Sequence, residues 1–373
     1  MMKKVKMIGL HIFVAQLKFF YFFLKLLPSK EQVVFISRQT KKPSVDFEMI
    51  IKQLNMEHVP VVVLCKQMES GLLGAGKYYL HLFKQMFVMA RSRVCVIDTY
   101  IIPVSVLKHK PELKVVQIWH AIGKIKKSGY QTLDKDGGRD ATVSHALKMH
   151  QNYDYIIAGA PYWNPFYCQS FNVPETKLKN FGLPRMDYLL ENAEQLKNEI
   201  RQKYPILENG KQTIIYAPTF RRTRAVDVQA FVENFDYDQF NLIVKLHPHD
   251  AHRADLPSRR VQIMEEYTTT QLLPLADYLV TDYSSIAFEA ALINLKTFFF
   301  VSDYEQYMAE NGLNLDLKQT VPSIVTNNSQ ELNLALASGT YDFQTFGRFK
   351  ELVLPKEVGQ ATNKIVSLIK EIL

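Results

Sequence analysis

Short apolar runs that end in polar residues and alternate with helical patterns restrict this chain to an α/β fold. Val33-Val34-Phe35-Ile36-Ser37 predicts a strand and Val45 to Asn55 a helix. Val59 to Cys65 predicts a second strand, with Pro60 near its start, where proline is tolerated. Apolar residues at three- and four-residue steps over 76–91 predict a helix. Val94 to Asp98, Val115 to Trp119 and Tyr155 to Ala158 complete a first set of strands. Gly182-Leu183-Pro184 breaks the pattern, and a charged surface helix is expected over 192–204. A second set follows: Ile214 to Ala217, Leu242 to Leu246, Tyr278 to Thr281 and Thr297 to Val301, with an amphipathic helix over 357–373. Strands alternating with helices imply mainly parallel, doubly wound sheets. A chain of 373 residues suits two such units. The expected organisation is an N-terminal helix over 1–30, a Rossmann-like domain over 31–184, a second over 185–355 and a terminal helix over 356–373, with a cleft between the two domains.

Residues 1–27 differ in kind from the rest. Met7 to Leu27 is rich in Phe, Leu and Ile, and no acidic residue occurs from Met1 to Lys30. Lys4, His11, Lys18 and Lys25 recur at seven-residue spacing. On a helix that repeat drifts by only ~20° per step, so the four form one polar stripe. The pattern fits a helix lying in a membrane interface, basic groups toward anionic headgroups, ended by Pro28. A buried core helix and a membrane span are the competing readings. The span would place Lys18 near its middle at a cost of ~2.5–3.5 kcal/mol.

The net charge of +8, from 45 basic and 37 acidic residues, favours an anionic partner: phosphorylated substrate, nucleotide, nucleic acid or acidic membrane. The three cysteines, Cys65, Cys95 and Cys168, form no CxxC pair and no zinc spacing, which suits a reduced, cytoplasmic chain. Neither GxxxxGK[ST] nor GxGxxG occurs, and no GxSxG elbow, RRM or zinc-finger signature is present. P-loop, dinucleotide and nucleic-acid readings therefore lack support.

The chemistry falls at strand ends, the side of an α/β sheet where clefts form. In the first half the strand over 115–119 runs into His120, and Lys124, Lys126 and Lys127 follow. A proton-transfer residue beside a cationic loop suits an anionic substrate; a histidine that merely ends a buried strand is the plain alternative. The polar, glycine-containing stretch 124–150 is long for a compact domain and is expected to be functional. In the second half the strand ends deliver Thr219, Arg221 and Arg222, then Lys245, His247 and His249, then Ser284 and Ser285. Asp282-Tyr283-Ser284-Ser285 lies where a strand gives way to a helix, an anion-binding position if the serines do more than cap the helix. Glu289, within that helix, either reaches a ribose hydroxyl or is a solvated helix residue. Two histidines from opposite domains suit acid–base or electrostatic work on a transferring group. His247 and His249 lack a third ligand at metal-binding spacing and no DxD pair occurs, so no metal site is expected.

In their order along the chain, these residues resemble the CDP-glycerol glycerophosphotransferase family, the teichoic acid primases and polymerases of Gram-positive bacteria. The matching pieces are Trp119-His120-Ala121 with Lys124 and Gly129; Gly182-Leu183-Pro184-Arg185 with Asp187; Tyr216-Ala217-Pro218-Thr219-Phe220-Arg221; Lys245-Leu246-His247-Pro248; and Thr281-Asp282-Tyr283-Ser284-Ser285 with Phe288-Glu289. They cover roughly residues 110 to 305.

The resemblance implies a GT-B-type fold with the donor held mainly by the second domain, and a peripheral attachment to the cytoplasmic side of the membrane by the N-terminal helix. It places a general base at His120 and a charge-stabilising histidine at His247. Trp119, Ala121, Ile122, Gly123, Arg185, Pro218, Thr219, Lys245, Leu246, Ser284, Ser285 and Glu289 fall on donor-binding positions, with Lys124, Arg221, Arg222 and Asp282 in support. The implied reaction moves glycerol phosphate from CDP-glycerol to a polyprenyl-diphosphate-linked disaccharide in wall teichoic acid synthesis, releasing CMP and using no cofactor. Polymerases of the family usually carry His-Gly-Thr-Pro where this chain has His120-Ala121-Ile122-Gly123, and many carry Arg where it has Lys245. The His-Ala form looks more like the primases. A glycerol or ribitol phosphate polymerase, a GT-B nucleotide-sugar glycosyltransferase and a non-catalytic membrane scaffold are the other readings.

Overall fold

A computed structural model describes residues 2–69, 71–221, 226, 228–233, 235–246 and 261–373. Two sheets of six strands form the frame. The first comprises β1 (Lys30–Ser37), β2 (Val61–Cys65), β3 (Ser92–Ile97), β4 (Lys114–Gln117), β5 (Tyr155–Ile157) and β6 (Leu178–Lys179) in the order β2-β1-β3-β4-β5-β6. The second comprises β7 (Gln212–Ala217), β8 (Phe240–Val244), β9 (Val261–Gln262), β10 (Tyr278–Thr281), β11 (Lys296–Phe300) and β12 (Val325–Thr326) in the order β12-β11-β10-β7-β8-β9. Every pairing is parallel, with Val34 beside Cys95 in the first sheet and Ile215 beside Leu279 in the second. Strands covered on both faces by helices are expected to be continuous apolar runs, and Val33–Ile36 and Leu279–Val280 are fully buried.

The strand order reverses between β1 and β3 in one sheet and between β10 and β7 in the other. Crevices open at such reversals, outside the C-terminal strand ends.

Several elements differ from the sequence-based expectation. β4 stops at Gln117, two residues short, because Trp119 takes a left-handed backbone with φ 57°. The charged helix begins at Pro184 rather than 192 and runs to Lys203, with proline at its first turn where no donor is needed. The helix over 76–91 is Gly71–Ala90. The short strands β6, β9 and β12 carry too few residues to display a period.

The helix Pro184–Lys203 and the terminal helix Ala361–Ile372 tie the two halves together. Asp187 accepts hydrogen bonds from the Thr362 backbone N–H (2.7 Å) and hydroxyl (2.8 Å), and from the Ala361 N–H (3.2 Å). The terminal helix thereby returns to pack on α2 (Val45–Met56) of the first unit. A second tie joins the long loop after His120 to residues 311–314. Asn314 donates to the Lys124 carbonyl (2.8 Å), its backbone N–H to Ile125 O (2.8 Å), and Lys127 N–H to Gly312 O (3.1 Å).

Helix α1 (Met2–Leu24) docks by a narrow stripe: Val14, Leu17 and Tyr21 pack with Met86 and Ala90 of α3 (Gly71–Ala90) and with Val106 and Leu107. Tyr21 also hydrogen-bonds His109 at 2.9 Å. Ile8, Ile12, Phe19 and Phe23 lie on roughly the opposite side of the helix, and each is more than half exposed. Lys4, His11 and Lys18 are exposed along one border of that face, and Lys25 partly so. By length and composition alone Lys4–Leu24 could cross a membrane, and little of it is buried against the rest of the protein.

Candidate active site

The strand ends of the two sheets face one cleft of about 1630 Å³. Its first wall carries Trp119, His120, Ala121, Gly123 and Lys124 from the segment after β4. Its second wall carries Pro218, Thr219 and Arg221 after β7, Lys245 and Leu246 after β8, and Ser284, Ser285 and Glu289 after β10. Arg185 lines it from the connecting helix. His247 and Arg222 lie outside the described residues.

His120 owes its pose to backbone geometry. The Gln117 side chain accepts the Trp119 N–H at 2.8 Å and supports the left-handed turn, so the chain leaves the strand abruptly. The Trp119 and His120 rings then lie 4.1 Å apart, centroid to centroid. His120 Nδ1 is 3.1 Å from the backbone oxygen of Asp98 at the end of β3, and the Gln39 side-chain amide is 3.3 Å from the same nitrogen. A carbonyl oxygen only accepts, so the shorter Asp98 contact assigns the hydrogen to Nδ1 and leaves the lone pair on Nε2; the Gln39 amide nitrogen, itself a donor, is then a neighbour of Nδ1 and not its hydrogen-bond partner. His120 is exposed to the open cleft, yet desolvation by the protein walls around it, with Lys124, Arg185 and Lys126 nearby, pushes its pKa down to about 3 despite the Asp98 bond. The imidazole is therefore neutral at pH 7.

The residues after it are packed into the interface between units. Ile122 is fully buried. A Cβ on Gly123 would lie 2.5 Å from Trp163 Cε2 and 2.8 Å from Phe288 Cε2, so no larger residue fits. Lys124 departs from the expected cationic loop. Its Nζ is enclosed, donating to Ser128 and Ser170 hydroxyls at 3.0 Å and lying 4.1 Å and 4.2 Å from the Trp119 and Phe171 ring centroids. Burial drives its pKa well down. Lys126 lines the cleft instead, its pKa lowered to about 8 by desolvation, against the pull of Asp282.

Arg185 joins both halves. Its backbone N–H and Nε donate to Asp46 of α2 at 2.8 Å, and Nη1 lies 3.4 Å from Glu289 Oε1. Glu289 is buried, not solvated, and also accepts the Thr270 hydroxyl. Desolvation raises its pKa, and Arg185 opposes the rise.

Arg221 is committed to protein carboxylates. It pairs with Asp282 (2.9 Å) and Asp303 (2.8 Å) and lies over the Tyr307 and Tyr283 rings. Asp282 turns back to accept the Thr219 N–H at 2.9 Å, fixing the Pro218-Thr219 turn. The Thr219 hydroxyl is buried without a partner among the described residues, a group poised for a ligand. Lys245 reaches the Met264 carbonyl at 2.7 Å, and burial lowers its pKa. Ser284 Oγ accepts the Ile286 N–H at 3.3 Å, while Ser285 makes no side-chain capping bond to the helix; both line the cleft. No group of three or more His, Cys, Asp or Glu side chains among the described residues is arranged to hold a metal ion.

Asp46, Gln39 and Asp303 escaped sequence reading. Gln39 obeys the same strand-end rule that picked out His120. Asp46 and Asp303 are ordinary helix-start residues until their distant partners are known.

Two facing parallel α/β units with polar strand ends in the cleft between them define a GT-B-type architecture. The fold matches a variant of the wall teichoic acid polymerase TagF at TM-score 0.73 and 20% identity, covering 92% of this chain and 90% of that one. A UDP-GlcNAc 2-epimerase from Neisseria meningitidis shares the architecture at TM-score 0.62 and 12% identity, covering 91% of this chain and 100% of that one. The family model described as CDP-Glycerol:Poly(glycerophosphate) glycerophosphotransferase matches residues 18–371, and the chain belongs to that family. It is 27% identical to a teichoic acid ribitol-phosphate primase of Bacillus spizizenii over 93% of both chains. It is 29% identical to a teichoic acid glycerol-phosphate primase of the same organism over 66% of both. A poly(ribitol-phosphate) polymerase there is 26% identical over 94% of this chain and 58% of its own length.

Proposed function

We propose that the protein is a teichoic acid primase that transfers glycerol phosphate from CDP-glycerol to a membrane-held, polyprenyl-diphosphate-linked disaccharide. The observation that carries this reading is the neutral His120, its Nδ1 tied to Asp98 and its Nε2 lone pair available to accept a proton, in a cleft whose opposite wall holds Thr219, Lys245 and Ser284-Ser285. An acceptor hydroxyl oxygen attacks the phosphorus bearing the glycerol. The bond from that phosphorus to the bridging oxygen breaks, CMP leaves with the electron pair, and the hydroxyl proton passes to His120 Nε2. Lys245, Lys126 and the serine turn offset the charge of the pyrophosphate, and His247 joins them in this reading. The exposed aromatic face of α1, bordered by Lys4, His11 and Lys18, holds the protein on an anionic cytoplasmic membrane surface.

Ribitol phosphate is the second reading of the transferred group, favoured by the likeness to a ribitol-phosphate primase along 93% of both chains. Incubating the protein with a short-chain lipid-linked disaccharide and either CDP-glycerol or CDP-ribitol, then weighing the acceptor by mass spectrometry, separates these outcomes. One added glycerol phosphate supports the proposal. One ribitol phosphate moves it to the second reading, a ladder makes the protein a polymerase, and an unchanged acceptor rejects both donors.

A further inference from the structure

The loop that follows His120 belongs to the first unit by sequence and to the second by contact. Its backbone runs antiparallel to residues 311–314, with Lys126 opposite Leu313. Asn314 N–H donates to Ile125 O at 2.8 Å, and Lys127 N–H donates to Gly312 O at 3.1 Å. The Asn314 side chain adds a second layer. Its amide donates to the Lys124 carbonyl at 2.8 Å and stands 3.4 Å from the Lys126 carbonyl. Gln131 Nε2 in turn donates to Asn314 Oδ1 at 2.8 Å, which sets the orientation of the amide. One side chain thus holds the carbonyls on either side of Ile125, whose own side chain is buried.

Strapped in this way, Lys126 is carried across to the donor wall. It lines the cleft, and the charged groups that act on its ammonium are Asp282 and Arg221 of the second unit. Those two are already paired with each other, and Arg221 also with Asp303. The Lys126 ammonium itself makes no ion pair among the described residues. Lys124, two residues earlier, is the opposite case, with its ammonium spent on Ser128 and Ser170. Lysine is a point charge on a flexible stem, so its backbone anchor decides where the charge can stand. Asn314 does not line the cleft, so any hold it has on a ligand there passes through the loop.

We propose that Asn314 is a positioning residue for the donor: it holds the backbone of Lys126 where the ammonium meets the donor's phosphates. The inference rests on the reading of a CDP-alditol donor given above. It adds the residue through which the second unit sets a first-unit phosphate contact, so that the donor site is complete only while the two units are joined at this strap.

Binding to the full chain, with no acceptor and no turnover, tests the inference. The probes are CDP, followed by calorimetry, and cytidine, followed by ligand-detected NMR. Lys126→Met should weaken CDP by at least ~10-fold, the scale of one charge-assisted contact, and leave cytidine unchanged. Asn314→Ala should weaken CDP by ~5-fold, within the coupling expected inside one hydrogen-bond network, and also leave cytidine unchanged. In the Lys126→Met background, Asn314→Ala should have no further effect on CDP. The backbone bonds of Ile125 and Lys127 survive Asn314→Ala, so the strap is loosened and not lost. Gln131→Ala frees the same amide and should act in the same direction, which keeps the test open if Asn314→Ala does not fold. An Asn314→Ala loss that persists in full without Lys126, or that falls equally on cytidine, would make Asn314 a structural residue of the interface and overturn the inference. Unchanged CDP binding in Asn314→Ala would overturn it as well, with the donor reading left standing. Wild-type protein that binds cytidine and CDP equally, or neither, would reject the donor reading and this inference with it.

Discussion

His120 Nδ1 lies 3.1 Å from the carbonyl oxygen of Asp98, a contact that joins the end of β4 to the end of β3. The bond requires a hydrogen on Nδ1 and so makes Nε2 the basic atom. Because desolvation and three neighbouring cations lower the His120 pKa, to about 3, the free enzyme keeps the neutral ring far into acid. The kcat/KM profile should then stay flat from neutrality down to about pH 5, since it reports the free enzyme's groups. An acid limb centred near the ordinary histidine pKa would contradict the desolvated environment.

Arg185 bridges Asp46 and Glu289 from opposite units. Asp46 and Glu289 are both almost fully buried, so removing the cation leaves two uncompensated carboxylates. Arg185→Ala is expected to cost roughly 3–5 kcal/mol in urea unfolding, the scale of a broken buried pair. Arg185→Ala combined with Asp46→Asn should recover part of that loss. Equal losses in the single and double variants would mean the pair is not coupled.

The exposed face of α1 can be tested without disturbing its docked face. Phe19 and Phe23 are 62% and 52% exposed, whereas Leu17 and Tyr21 are buried. Phe19→Ser with Phe23→Ser should abolish sedimentation with anionic vesicles and leave the melting temperature unchanged. A fall in melting temperature with vesicle binding intact would make this face part of the core. Deleting 1–27 is a poorer test, because it strips Val14, Leu17 and Tyr21 from Met86 and Val106.

Asp98 carries a pH-dependent penalty. Burial raises its pKa from 3.8 to about 6. Below pH 3.8 both folded and unfolded chains hold the proton. Between there and pH 6 only the folded chain holds it, so stability falls as pH rises through that window, by up to ~3 kcal/mol. Asp98→Asn should remove the fall, so its stability relative to wild type should improve between pH 4 and pH 7 in urea titrations. A difference independent of pH would mean that Asp98 ionises as easily folded as unfolded.

The frame was readable because parallel strands covered on both sides are apolar throughout, and because polar residues at their ends stand out against that background. The same contrast located His120, Thr219, Lys245 and Ser284-Ser285. Lys124 and Arg221 show where it stops. Both follow strand ends and look like free cations in the sequence, yet Lys124 is enclosed by Trp119 and Phe171 and Arg221 is bound by Asp303, 82 residues away. Local pattern reports what a residue type prefers, not which distant partner meets it. The tie between Asn314 and the Lys124 carbonyl spans 190 residues and left no mark in either segment.

The most direct test of the account is the rate of CMP release from CDP-glycerol by wild-type protein and by His120→Asn, with and without the lipid-linked acceptor. Wild-type release should require the acceptor, and His120→Asn should slow it by at least ~10²-fold while CDP-glycerol affinity stays near wild type. Near-normal release by His120→Asn, with one glycerol phosphate still added to the acceptor, would contradict the role of His120 as the base.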